Sequence, residues 1–196
     1  MISLKINKEA MGIKSILERN PIIPAIKDNI TLKKALNSNS ELVFIIVSNI
    51  INIKDYTDKL KKANKKVYIH VDMIDGLNST NNGIDYIVNT VKPDGILTTK
   101  SNVVAHAYKN NINVIQRFFI LDSLSYEKAL LNIKENKIVA AEIMPGLMPK
   151  IIKKLSQETH IPIITGGLIK EKEDVISVIN AGALSVSTTE TKLWED

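Results

Sequence analysis

The chain has 196 residues, enough for one domain with a substantial core and too few for two ordinary ones. An apolar content of 44% spread along its length argues against disorder, and the lack of cysteine excludes disulfides, thiolate metal sites and cysteine nucleophiles. The formal charge of +5 is almost wholly lysine, with Arg19 and Arg117 the only arginines, so it fits compositional drift as readily as a nucleic-acid face.

No apolar run reaches the roughly 18 residues of a membrane span. The start, "MISLKINKEAMGIKSILERN", has no apolar core of the kind a cleaved signal carries. A cytoplasmic protein without a membrane partner is expected.

A helix-like segment, Asn7–Arg19, comes first, and residues 1–20 are read as an N-terminal helical piece ahead of a single domain over residues 21–196. Apolar, β-branched runs then recur about every 20 residues. They predict strands at Ile22–Ile26, Leu42–Val47, Val67–Asp72, Gly95–Thr99, Asn113–Arg117, Val139–Ile143, Ile161–Thr165 and Ala183–Ser187. Between them lie amphipathic stretches: "TLKKAL", "KDYTDKLKKAN", "NGIDYIVNTV", "NVVAHAYKNN", "SYEKALLNIKE", "PKIIKKLSQET" and "KEDVISVINAG". Strands alternating with helices argue for parallel pairing, and eight of them match a compact (β/α)8 TIM barrel, with a doubly wound open sheet as the competing fold. Only "TETKLWED" is left for the eighth helix. So short a final helix leaves a flank that Asn7–Arg19 or a second copy of the chain would cover, which suggests a homodimer.

Function in such a barrel lies where strands end. Those positions are Lys27, Ser48, Asp72, Thr99 with Lys100, Arg117, Glu142, Gly166 with Gly167, and Ser187 with Thr188. Alternation turns Tyr68, His70 and Asp72 inward on the third strand. On the sixth it turns Val139, Ala141 and Ile143 outward and Glu142 inward. Cations and carboxylates thus converge on one end, where they could pair as an ion network that binds nothing, or hold a polar ligand. His70 reads as a core histidine, His106 and His160 as solvated, and no spacing suggests a metal site.

The stretch "TGGLIKEKEDV", from Thr165, places two glycines between a strand and a helix. The turns after the seventh and eighth strands are where this fold most often binds phosphate through backbone N–H groups. With Ser187 and Thr188 on the neighbouring strand, a phosphate site is favoured over a mere tight turn.

Several segments together resemble the glycerol-3-phosphate-responsive antiterminator family: "IIPAIKD", "VYIHVDMIDGL", "DGILTTKS", "VIQRFFILDS", "AEIMPGLMPKII", "PIITGGLI" and "AGALSVSTTETKLW". They cover nearly everything from residue 21 onward. Ser48-Asn49 departs from the glycine or acidic residue expected in that loop. The resemblance implies a regulator, not an enzyme, that senses glycerol 3-phosphate, needs no cofactor, and binds the leader of a glycerol-utilisation messenger RNA to prevent a terminator forming. Phosphate would go to Gly167 and Thr188, and the hydroxyls to Asp72, Lys100, Arg117 or Glu142. The competing class is a phosphosugar isomerase or lyase using Asp72 or Glu142 as base and Lys100 as acid or Schiff-base amine. Two lysine clusters are candidate RNA faces: Lys150, Lys153 and Lys154 beside the mouth, and Lys59, Lys61, Lys62, Lys65 and Lys66.

Overall fold

A computed structural model describes residues 12–194. Its eight parallel strands are β1 (Ile22–Ile26), β2 (Leu42–Ile45), β3 (Lys66–His70), β4 (Gly95–Thr98), β5 (Asn113–Phe119), β6 (Ala140–Met144), β7 (Ile163–Gly166) and β8 (Ser185–Thr188). They pair in sequence order, and β1 joins both β2 (Ala25↔Phe44) and β8 (Ile22↔Val186). The sheet therefore closes into a (β/α)8 barrel, and the open doubly wound alternative falls.

Around it lie α2 (Asn29–Asn37), α3 (Ile53–Lys62), α4 (Asn81–Tyr86), α5 (Ser101–Lys109), α6 (Ser123–Glu135), α7 (Pro149–Glu158) and α8 (Lys172–Asn180). A helix over residues 12–19, α1, precedes β1. Residues 7–11 of the expected Asn7–Arg19 helix lie outside the described residues. Helices α2 and α6 begin earlier than their apolar periodicity suggests, because Asp28 and Asp122 each accept the N–H three residues on and form capping boxes with Thr31 and Ser125. The stretch "NGIDYIVNTV" divides into α4 and a π turn, Ile87–Val91, ended by left-handed Lys92. Among the described residues no helix is long and apolar enough to cross a membrane.

Strand alternation sorts the core into two. Val43, Ile45, Ile69, Ile96, Ile143 and Val186 face outward and pack with Leu60, Ile84, Ile133, Ile152 and Leu155 of the helices. Ile23, Phe44, Tyr68, Leu97, Ile115, Ala140 and Ile164 fill the barrel, joined by Ile13 and Leu17 of α1. Helix α1 thus lies against the barrel's lower interior, and Leu17 carbonyl accepts from Ser185 Oγ at 3.0 Å. Val139, expected to face outward, packs with the interior set instead, because β6 begins one residue later than predicted.

A 3-10 turn, Thr191–Leu193, stands in for the eighth helix, with Leu193 and Trp194 buried and the indole N–H donating to Thr188 carbonyl at 3.0 Å. Leu193 and Trp194 thus bury apolar surface on the flank left by the short final helix.

Candidate functional site

The two adjacent glycines do different jobs. Gly166 ends β7 facing the barrel axis, and a Cβ there would collide with Ser187 Oγ and lie 3.2 Å from Glu142 Oε1. Its role is to leave room for those side chains. Gly167 has φ +77 and Leu168 φ +64, so two successive residues are left-handed and the chain turns back sharply. Gly146 N–H, from the loop after β6, donates to Gly167 carbonyl at 2.9 Å and fixes the turn. Helix α8 starts only at Lys172, and Asp174 accepts the N–H groups of Lys170 and Glu171 just ahead of it.

Residues 167–170 and 187–190 border a cavity of about 210 Å³ at the mouth, completed by Ala25, Ile46, Arg117 and Met144. Of the expected site residues, Arg117, Gly167, Ser187 and Thr188 line it directly. Ser187 is inward, and Thr188 Oγ bonds Ile169 carbonyl at 3.2 Å, tying the two phosphate-type turns together. Lys170, Glu190, Leu168, Ile46 and Met144 were missed. Lys170 and Glu190 lie in the very loops singled out by the glycine pair and the Ser187-Thr188 hydroxyls. The left-handed backbone at Leu168 has no local signature, since leucine rarely adopts it.

Glu142 anchors the wall. Wholly buried on β6, it accepts from Arg117 Nε at 2.6 Å through one oxygen and from Ser187 Oγ at 2.5 Å through the other. Register makes this contact, since Arg117 on β5 stands opposite Glu142. Among the described residues Glu142 is the one hydrogen-bond acceptor of the guanidinium, and only Nε is used. The terminal nitrogens of Arg117 are left for a ligand in the cavity.

Asp72 belongs to a separate cluster across the mouth. Strand β3 ends at His70, two residues earlier than predicted, and a 3-10 turn over Val71–Met73 carries Asp72 towards β4. Its carboxylate accepts from Thr98 Oγ, Thr99 N–H and Oγ and Ser79 Oγ, at 2.7 to 3.1 Å, with Lys100 Nζ at 3.7 Å. Burial pushes its pKa up, but the Thr99 and Ser79 bonds outweigh burial and hold the carboxyl below its ordinary value. An acceptor so fully supplied staples β3 to β4; neither Asp72 nor Lys100 lines the cavity.

His70 is 3% exposed and its Nδ1 makes no hydrogen bond. Burial and the Arg117 charge lower its pKa, so the ring is neutral. Lys27 is exposed beside α2 and outside the cavity lining. Asn49 caps its own turn by accepting from Ile51 and Asn52 N–H, while Ser48 pairs with Ile74 in a two-residue outer strand and its hydroxyl is buried without a partner. His106, expected in solvent, bonds Asp85 at 2.7 Å and is half-buried. His160 is exposed.

The lysine clusters differ. Lys150 and Lys153 are exposed on α7, and Lys154 lies 4.5 Å over the Tyr126 ring, with Glu158 at 3.9 Å. In the other cluster Lys59 pairs with Asp55, Lys61 and Lys66 approach Asp94, and Lys65 donates to Ser38 and Ser40 carbonyls. Three of these five lysines thus share two carboxylates, and Lys66 opens β3 at the end away from the mouth.

The sequence profile of the glycerol-3-phosphate responsive antiterminators matches residues 22–194. The chain belongs to this family. It is 33% identical over 184 residues to the uncharacterised Escherichia coli protein YgcP, covering 94% of this chain and 96% of the other. Among solved structures, the Listeria monocytogenes glycerol uptake operon antiterminator regulatory protein superposes with a TM-score of 0.84 at 32% identity, over 88% of this chain and 94% of that one. A glycerol uptake operon antiterminator-related protein of Thermotoga maritima gives 0.77 at 28%, over 89% and 98%. The antiterminator family's match begins at β1 and runs through the turn at Trp194, so every residue of the cavity wall falls inside it.

Proposed function

We propose that this antiterminator-family chain binds glycerol 3-phosphate in the cavity beside β7 and β8 and, so loaded, binds the leader of a glycerol-utilisation messenger RNA to prevent a terminator. The supporting observation is the cavity's chemistry: Arg117 with unused guanidinium nitrogens faces the Gly167–Leu168 turn and the Ser187–Thr188 strand end. Guanidinium and amide donors around so small a space suit a phosphomonoester of few carbons. The RNA half of the reading rests on the family. Its strongest candidates on the surface are Lys150 and Lys153, exposed where α7 leaves the mouth.

The test is one titration in two directions. Glycerol 3-phosphate at about a hundred times its dissociation constant should stabilise the fold by ~2.7 kcal/mol, and glycerol should do little. Leader RNA should bind more tightly with the ligand present, and the ligand more tightly by the same factor with RNA present. Lys150→Ala with Lys153→Ala and Lys154→Ala should flatten the salt dependence of RNA binding, a slope of about 0.7 per phosphate contact for single strands. RNA affinity indifferent to the ligand would defeat the regulatory reading.

A further inference from the structure

Alternate strands of an eight-stranded barrel contribute four side chains to each interior layer. In β1, β3, β5 and β7 the residues Ile23, Tyr68, Ile115 and Ile164 belong to the interior core. Two residues further on, on the same inward face, stand Ala25, His70, Arg117 and Gly166. Ala25 and Arg117 line the cavity, and the space at Gly166 is filled by Ser187 and Glu142. His70 is the fourth member of that layer. Register also places it opposite Ile46, two residues beyond the Phe44↔Tyr68 pair, and Ile46 is a lining residue as well. Lining residues just past β2 and on β5 therefore stand on the same inward face as His70.

A core position of this kind normally holds an aliphatic side chain, and a buried ring nitrogen without a partner is destabilising. We propose that His70 is a ligand-binding residue at the floor of the cavity, where its imidazole takes a hydroxyl of a small phosphorylated polyol. This assignment rests on the phosphate reading of the same cavity. The phosphate lies at the turns after β7 and β8, and the carbon chain runs down past Arg117. A neutral imidazole has one donor and one acceptor nitrogen, so it complements a hydroxyl in either orientation. Glu142 contributes beside it, since each of its oxygens keeps a second lone pair after bonding Arg117 and Ser187.

The test uses the full chain, labelled with 15N-histidine, and three probes: glycerol 3-phosphate, n-propyl phosphate and inorganic phosphate. The sequence has three histidines, and His70→Gln identifies the His70 signals. Glycerol 3-phosphate should move the His70 ring nitrogens and leave those of His160 in place. Propyl phosphate, which has no hydroxyls, should move them far less. His70→Leu should weaken glycerol 3-phosphate binding about tenfold, the worth of one hydrogen bond, and propyl phosphate by less than about twofold. His70→Gln, which keeps a donor and an acceptor, should lie between. Glycerol 3-phosphate binding that leaves the His70 nitrogens unmoved, or a His70→Leu loss equal for both phosphates, overturns the assignment while sparing the phosphate site. A wild-type protein that binds none of the probes overturns the phosphate site itself, and this assignment with it.

Discussion

Arg117→Ala tests the wall of the site most severely. Glu142 is 0% exposed and holds two bonds, of which the 2.6 Å contact with Arg117 is the charged one. Removing the guanidinium leaves a buried carboxylate with a single hydroxyl donor. Breaking a buried ion pair in this way costs about 3–5 kcal/mol, chiefly through the orphaned charge. For a domain of this length each kcal/mol shifts the melting temperature by about 2–4 °C, so a fall of roughly 6–20 °C is expected at pH 7.

The assay is denaturant unfolding at pH 5, 6, 7 and 8 of wild type, Arg117→Ala, Glu142→Gln and the double variant. Glu142→Gln in the Arg117→Ala background removes the orphan charge and should recover stability, giving a coupling of about 1–3 kcal/mol. Arg117→Ala within about 1 kcal/mol of wild type would refute the reasoning. That result would mean that water reaches Glu142 freely and that the wall is not dry.

Two further perturbations address the neighbouring residues. Gly166→Ala should destabilise by about 1–3 kcal/mol, because its Cβ displaces Ser187 from Glu142, and a cavity-bound ligand should lose affinity with it; unchanged unfolding would show that the contact is loose. His70 carries a lowered pKa, from burial first and Arg117 second, so below about pH 6.5 the unfolded chain binds the proton more readily than the folded one. Stability should fall as the pH drops through that value, and His70→Gln should flatten the slope in an unfolding series from pH 7.5 to 5.

The fold was legible because its cause is periodic. Runs such as Leu42–Ile45 and Gly95–Thr98 are apolar on both faces, which only a sheet covered inside and out allows, and the interval between them sets the strand count. Less legible were features decided by a single contact. Nothing in "VYIHVDMIDGL" says that β3 stops at His70, because the stop comes from Thr98 and Thr99 drawing Asp72 across to β4. The partition of the strand-end charges was hidden for the same reason. Asp72 with Lys100 and Arg117 with Glu142 all stand at strand ends, and only the register of β5 against β6 pairs the second two beside the cavity. His70 looked like core from its neighbours in sequence; its unmet nitrogen is a property of the space around it.

The hydrogen bonds of the charged groups bear directly on the competing isomerase or lyase reading. A general base needs an acceptor free to take a proton from its substrate. Asp72 is surrounded by hydroxyl and N–H donors and lies outside the cavity. Glu142 accepts from Arg117 through one oxygen and from Ser187 through the other, and so orients those two side chains. Lys100 Nζ lies 3.7 Å from the Asp72 carboxylate and half in solvent, outside the cavity lining. What the cavity offers is the Arg117 guanidinium and the amides of the left-handed turn, donors suited to an anion, with Lys170 and Glu190 also in its lining.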